Sequence, residues 1–242
     1  MIDLLTSHTS VRKYTDEPIP LETVHELVRA GQHAASSHFV QSYSIIHVTD
    51  EKRKQQLGEL SKNAFQINGA AVVLLFCSDF RRLEKAAALH GETIDYSYAE
   101  NTIVGAVDVA LCAQNIAIAA ESKGYGICYI GGVRNNPDAI SDLFELPKGV
   151  MPLFAMTIGV PTKRNEVKPR LPLQAVLHTD VYDDAKYDEL LPQYDETMKQ
   201  YYAERSSNNK VSTWTEQMTD FLKEPKRTYM KQSLERQGFK HR

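Results

Sequence analysis

Thr102-Ile-Val-Gly-Ala-Val-Asp-Val-Ala-Leu-Cys-Ala-Gln-Asn-Ile-Ala-Ile-Ala-Ala-Glu-Ser-Lys123 is the longest helical stretch of the chain, and its reading decides the fold class. Ile103, Val107, Ala110, Leu111, Ala117 and Ile118 fall at helical spacing and are the core candidates. Gly124 supplies the stop. A helix apolar on most of its sides belongs at the centre of a domain rather than on its rim. Asp108 in its middle makes it a poor membrane span, and no run in the chain approaches 18 consecutive apolar residues.

Working outward, Gly126 to Ile130 reads as a short strand, followed by Gly131-Gly132 and a helix opening at Asn136-Pro137-Asp138. Asn as N-cap with Pro at the first helical position is a good start signal. Upstream, Ala70 to Cys77 is an unbroken apolar run of strand length, expected at the centre of a sheet covered on both faces. Tyr43 to Val48 reads as a second strand, and Leu21 to Ala30 as a helix with Leu21, Val24, Leu27 and Val28 on one face, closed by Gly31. Phe154 to Val160 is a further strand, ended by Pro161. This order of helices and strands, without a repeat, gives α+β or α/β.

Beyond Lys163 the character changes. Lys168-Pro169-Arg170-Leu171-Pro172 can be neither helix nor central strand. From Asp183 the chain is polar and Tyr-rich, with helical patches at Tyr187 to Tyr202, Thr213 to Leu222 and Arg227 to Gln237. These are expected to have no core of their own and to drape over the main domain or a partner subunit. The resulting division is 1–162 as core and 163–242 as excursion.

Composition narrows the function classes. Of 242 residues 42% are hydrophobic and 24% charged, ordinary globular values that exclude wholesale disorder. The opening Met1-Ile2-Asp3-Leu4-Leu5 lacks the pattern of a secretory signal, so a soluble, cytoplasmic protein is expected. Cys77, Cys112 and Cys128 are odd in number, far apart and set in apolar stretches, which fits buried, inert thiols rather than disulfides or a zinc site. The net charge of −3 is unevenly spread. From Arg205 to Arg242 nine Lys/Arg face four Asp/Glu, so this tail is +5 and the remainder −8. Such asymmetry points to an anion: nucleic acid, a nucleotide, or the acidic remainder of an oligomer.

Dinucleotide-binding, P-loop, nucleophile-elbow and zinc-protease motifs are all missing from the sequence. Three constellations remain. His8-Thr9-Ser10-Val11-Arg12 is a dense set of donors, and in Lys168-Pro169-Arg170 prolines stiffen two cations. Together they offer what a phosphate monoester needs, fixed charge-assisted donors including the arginine fork. In Tyr129-Ile130-Gly131-Gly132 a strand runs into two glycines, exposing backbone N–H groups to a flat ligand without Cβ interference.

Ser10-Val11-Arg12-Lys13-Tyr14 with Asp16-Glu17-Pro18-Ile19 resembles the opening of the FMN-dependent nitroreductase family. Gln41 to Ile46, Ala119-Ala120-Glu121-Ser122 and Tyr129-Ile130-Gly131-Gly132-x-Arg134-Asn135-Asn136 are similar to its oxygen-insensitive, NADPH-preferring nitroreductase and flavin reductase branch. So are Pro152-Leu153-Phe154, Lys168 to Pro172, Tyr201-Tyr202-x-x-Arg205 and Thr213-Trp214, and the likeness runs nearly end to end in the same order.

The resemblance implies an α+β nitroreductase-like fold, a mainly antiparallel sheet flanked by helices, with an extended C-terminal helical excursion. It implies FMN as cofactor, NADPH as donor and a homodimer with FMN at the subunit interface. Apart from the resemblance, neither nucleic acid nor membrane is expected as a partner, because no recognised nucleic-acid motif appears, four acids dilute the cations of the tail and no long apolar run is present. His8, Thr9, Ser10 and Arg12, with Lys168 and Arg170, would hold the phosphate and ribityl chain; Thr9 stands where many relatives carry Arg or His. Ser36, Ser37 and Gln41 would shape the ring's polar edge, and Tyr129, Ile130, Gly131 and Gly132 would lie along the ring. Gln66 lies in a stretch, Asn63 to Gln66, that replaces the region where relatives place a flavin-contacting Gln. Arg205 and Lys210 match positions used for the 2′-phosphate of NADPH. The implied reaction passes two electrons from NADPH through FMN to a nitroarene, a quinone or free flavin by a ping-pong route, with no protein acid or base required. The alternative is a flavin-holding redox sensor or partner without turnover.

Overall fold

The computed structural model describes residues 1–205 and 211–240. Its element order is α1 (Ile2–Thr6), α2 (Leu21–Gln32), β1 (Tyr43–His47), α3 (Glu51–Ser61), α4 (Ala64–Asn68), β2 (Val72–Asp79), α5 (Arg81–Ala88), α6 (Ala99–Ser122), β3 (Gly126–Ile130), α7 (Pro137–Leu143), β4 (Val150–Gly159), α8 (Tyr187–Glu204), α9 (Trp214–Leu222) and α10 (Met230–Arg236). By internal contacts the chain falls into two units, Met1–Asn165 with Arg227–Arg242, and Glu166–Lys226. The polypeptide thus returns to the first unit after the excursion, where the sequence reading has one boundary near residue 162.

In the first unit the strands lie in the order β1-β2-β4-β3, every neighbouring pair antiparallel. All eight residues of β2 are buried, as its unbroken apolar run requires. Strand alternation sorts them into two layers. Val72, Leu74 and Phe76 pack with Val24 and Leu27 of α2 and with Val109, Cys112, Ala113 and Ile116 of α6. Val73, Leu75 and Cys77 face the opposite layer, with Leu57 of α3, Ile67 of α4 and Ile140 of α7. The β2/β4 register slips between Phe76 and Cys77, so that Cys77 pairs with Pro152. Proline has no N–H for the ladder, and a bulge is where a sheet tolerates it.

The long helix runs Ala99–Ser122 and is central, as expected, but it is turned about its axis. Its buried residues are Gly105, Asp108, Val109, Cys112, Ala113, Ile116, Ala117, Ala120 and Glu121. Of the expected core residues Ala117 is buried and Ile118 half-buried, whereas Ala110 is exposed and Ile103, Val107 and Leu111 stand 59%, 48% and 40% exposed. Close packing explains the choice of side. A Cβ on Gly105 would lie 2.1 Å from Ser78 Oγ, and one on Gly31 of α2 would lie 2.6 Å from Ile116 Cγ1. Small residues let the backbones approach, and the bulky ones are left on the other face. Gly31 therefore sits inside α2 as a helix-contact residue and does not end it. Gly124, at φ +86, ends α6 as read from the sequence. Helix α6 is long and apolar enough to cross a bilayer, but its packing in this core, with two buried carboxylates, accounts for that composition.

The second unit carries a small core of its own. Tyr194, Met198 and Tyr202 are buried, with Leu171, Tyr201 and Trp214 packed on them. The Tyr194 hydroxyl donates to Pro169 O at 2.9 Å, tying the Lys-Pro-Arg segment to α8. Helix α9 opens with a capping box, Thr213 and Glu216 each bonded to the other's backbone N–H. The expectation of a coreless excursion is corrected here: Tyr194 and Tyr202 bury their rings in a core, and their hydroxyls bond Pro169 O and Gln217 Oε1.

Candidate active site

Residues 8–12 run beside β3, with Val11 N donating to Ile127 O at 2.8 Å. Val11 lies tight against Gly126, where an added Cβ would be 2.5 Å from Val11 Cγ2. Burial alternates along this segment. Thr9 and Val11 are buried, while His8, Ser10 and Arg12 are open or half-open. Strand-like alternation thus turns three donors to one side in a single row. Arg12 lies by the Cys128 thiol of β3, and among the described residues no carboxylate pairs with it. The Thr9 hydroxyl is buried without a hydrogen-bond partner, so of the four residues in this segment expected at the phosphate Thr9 faces inward.

His8 is held from behind. Its Nδ1 lies 2.6 Å from Oε1 of Glu121, a carboxylate in the last turn of α6 that is only 6% exposed. Burial first, then the charge of Glu121, pushes the Tyr129 phenol up; its hydroxyl donates to Gln114 Oε1 at 3.2 Å. Glu121 thereby bears on two expected site residues at once.

Ser36, Ser37 and Gln41 share a loop built on Asp108. This buried carboxylate accepts from Ser36 Oγ (2.7 Å), Ser37 N (3.1 Å), Ser42 N (3.0 Å) and Ser42 Oγ (3.0 Å). Ser36 Oγ accepts in turn from Gln41 N at 2.8 Å. Between the anchored ends His38, Phe39 and Gln41 hold φ of 45, 60 and 51, a region side chains other than glycine rarely occupy. Strain of that kind persists only where surrounding bonds over-determine it. Arg82 adds bonds to Gln41 O (3.2 Å) and Tyr43 O (3.1 Å).

Ile130 is the buried end of β3, and Gly131 and Gly132 open a 3₁₀ turn, Gly131–Asn135. The two glycines differ. A Cβ on Gly131 would come no closer than 3.3 Å to the Arg134 guanidinium, whereas one on Gly132 would fall 2.2 Å from Ser61 O and 2.1 Å from Asn63 Nδ2. Glycine at 132 is thus demanded by the α3–α4 turn. Amides lock the same turn: Asn135 Nδ2 donates to Ser61 O and Asn136 Nδ2 to Leu60 O, each at 3.0 Å. Asn136 is the N-cap of α7 by position, but its side chain serves this contact instead of the helix. The returning chain closes the arrangement, with Arg227 Nε donating to Asn135 Oδ1 (3.1 Å) and the Tyr229 hydroxyl to Asn135 O (2.8 Å). Gln66 is half-buried on α4, three residues past Asn63.

In the second unit Arg170 Nη1 donates to Lys168 O at 2.6 Å, and Lys168 Nζ stands 5.6 Å over the Tyr202 ring. The Arg205 guanidinium stacks on Tyr201 at 5.3 Å. Lys210 lies outside the described residues.

Sequence reasoning missed Asp108 and Glu121 as the acids that hold expected site residues. The signal was present, since each is an acid set among apolar neighbours in the helix. Among the described residues no cluster of three or more His, Cys, Asp or Glu is fit to hold a metal.

A sheet of this topology with a donor row along β3 and a glycine turn at its end defines a class, and comparison bears it out: the chain belongs to the nitroreductase family, whose model matches residues 5–160 and whose C-terminal-domain model matches residues 168–242. Among individual relatives, a Cr(VI) reductase of Pseudomonas sp. (strain G-1) is 55% identical, covering 98% of both chains. An FMN reductase (NADPH) of Bacillus subtilis (strain 168) is 38% identical over 98% of this chain and 97% of its own. The solved structure of B. megaterium NfrA1 superposes with a TM-score of 0.95 at 39% identity, covering 99% of this chain and 98% of that one. The nitroreductase fold and the mainly antiparallel sheet expected from the resemblance are the ones found.

Proposed function

We propose that this chain is an FMN-dependent reductase that oxidises NADPH and delivers two electrons to nitroarenes, quinones, free flavin or Cr(VI). One observation carries the reading: the outward row His8-Ser10-Arg12, whose arginine has no carboxylate partner among the described residues. Two potential cations and a hydroxyl on one side of an extended segment fit the phosphate of FMN. Bound FMN supplies hydride acceptance and two-electron delivery.

The protein's part is to bind and orient. Gly131 leaves its backbone open toward the ring, and the locked 131–135 turn keeps its N–H groups from swinging, which is preorganisation in the electrostatic sense. Ser36, Ser37 and Gln41 are assigned to the polar edge, with Tyr129 and Ile130 along the ring and Gln66 at its rim. Lys168 and Arg170 are assigned to the phosphate, and Arg205 and Lys210 to the 2′-phosphate of NADPH, on the sequence alone. Donor and acceptor take turns at one open face, so the kinetics are ping-pong. Cr(VI) joins the acceptors because the 55% identical relative bears that name.

A homodimer accompanies this reading. The stripe Ile103, Val107 and Leu111 leaves bulky apolar side chains in water along one face of α6, and a second copy would cover it.

The test is direct. The purified protein should carry an FMN spectrum and oxidise NADPH in the presence of each acceptor class, with parallel double-reciprocal plots. Protein that is colourless and declines added FMN overturns the reading; protein that holds FMN without turnover leaves a sensor.

A further inference from the structure

A buried acid at the C-terminal end of a helix is doubly disfavoured. It loses its hydration, and it faces the negative end of the helix dipole. Glu121 occupies that position in the last turn of α6. Its placement makes sense through His8, 113 residues earlier, whose Nδ1 it engages at 2.6 Å.

That contact decides which ring atom is left for a ligand. With Nδ1–H committed to the carboxylate, Nε2 is the free nitrogen, on a side chain 31% exposed and in line with Ser10 and Arg12. A singly protonated ring would present a lone pair at Nε2, the wrong polarity for a phosphoryl oxygen; the doubly protonated ring presents N–H. A carboxylate behind the ring is the counter-charge that suits the second form. Replacing Glu121 with Gln removes that counter-charge while keeping the size of the side chain.

We propose that Glu121 is a positioning residue that presents His8 Nε2–H as a donor to the phosphate of FMN, so that the Glu121–His8 pair selects the phosphorylated flavin over riboflavin. The proposal rests on the FMN reading above and adds to it a role for a residue that touches no ligand. Asp108 serves as an internal contrast, being an equally buried acid on the same helix that receives only neutral donors and organises a loop.

The test is titration of the deflavinated full-length protein with FMN and with riboflavin, which differ only in the phosphate. Wild type should bind FMN more tightly. Glu121→Gln should lower the riboflavin-to-FMN Kd ratio by about 10- to 100-fold, the range of one charge-assisted hydrogen bond, with riboflavin affinity unchanged. His8→Asn, at a partly exposed site that tolerates substitution, should do the same, and the double variant should fall no further than His8→Asn alone. An unchanged ratio in His8→Asn or Glu121→Gln overturns the proposal, as does equal weakening of both flavins, which would mark a purely structural acid. Wild type that binds neither flavin overturns the FMN reading itself, and this proposal with it.

Discussion

The two faces of α6 carry nearly the same hydropathy and opposite fates. One face shows Gly105, Val109, Cys112, Ala113, Ile116 and Ala117 to α2 and the sheet and is sealed. The other shows Ile103, Val107 and Leu111 to solvent. Apolar area alone would choose the second, since its side chains are larger. Interiors, however, are close-packed, and two backbones can approach only where one of them is small. Gly105 against Ser78 and Gly31 against Ile116 are those places. The packed face is also the one with the acids, because Asp108 and Glu121 find donors there that solvent-facing positions lack. Size complementarity and hydrogen-bond partners, rather than hydrophobicity, set the rotation of this helix.

Five substitutions test that contrast. Asp108→Leu should cost most, about 3–5 kcal/mol of folding stability by denaturant titration, because Ser42 N–H and Ser42 Oγ are left buried without acceptors. Ile116→Ala on the packed face should cost about 3 kcal/mol through the cavity left between α6 and α2. Gly31→Val should cost about 2 kcal/mol by overpacking against Ile116; a neutral result would mean that the helices can part.

The fourth concerns pH. Burial, the largest influence, pushes the Cys112 thiol up to about 11 from its ordinary value of 9.0. A raised acid contributes stability that is whole below pH 9 and lost as pH rises toward 11, by about 1 kcal/mol per pH unit in that window. Cys112→Ala should flatten the alkaline limb of the stability profile by that slope. The smallest effect on the fold belongs to the outer face. Leu111→Ser should change protomer stability by about 0.5 kcal/mol or less, yet shift the mass in solution from dimer to monomer. A mass already monomeric at micromolar concentration in wild type removes the dimer and leaves the stripe unexplained.

Much of the candidate site is legible in the sequence because it is local. His8-Thr9-Ser10-Val11-Arg12 announces its donors within five residues, and Tyr129-Ile130-Gly131-Gly132 its strand and turn within four. The strand alternation that turns His8, Ser10 and Arg12 outward is a property of the backbone and needed only the neighbouring β3 to appear. What the sequence does not show at Gly132 is a second demand for glycine: the atoms that fill its vacant Cβ position belong to Ser61 and Asn63, which only folding brings there. The same holds for Asn136, whose helix-capping signature is real in position while its side chain bonds Leu60 O. The polar, Tyr-rich stretch expected to have no core holds Tyr194 and Tyr202, which are buried in the core of the second unit.

Unaided, then, the order of residues determined the elements, the apolar strand at the heart of the sheet, the end of α6 at Gly124 and the family likeness, all of which depend on neighbours within a turn or a strand. Packing alone decided which side of α6 is buried, that Asp108 gathers Ser36, Ser37 and Ser42 and that Glu121 stands behind His8. Those pairings join residues 66 to 113 positions apart, and what selects them is the fit of surfaces and the satisfaction of buried charge, quantities that no local pattern encodes.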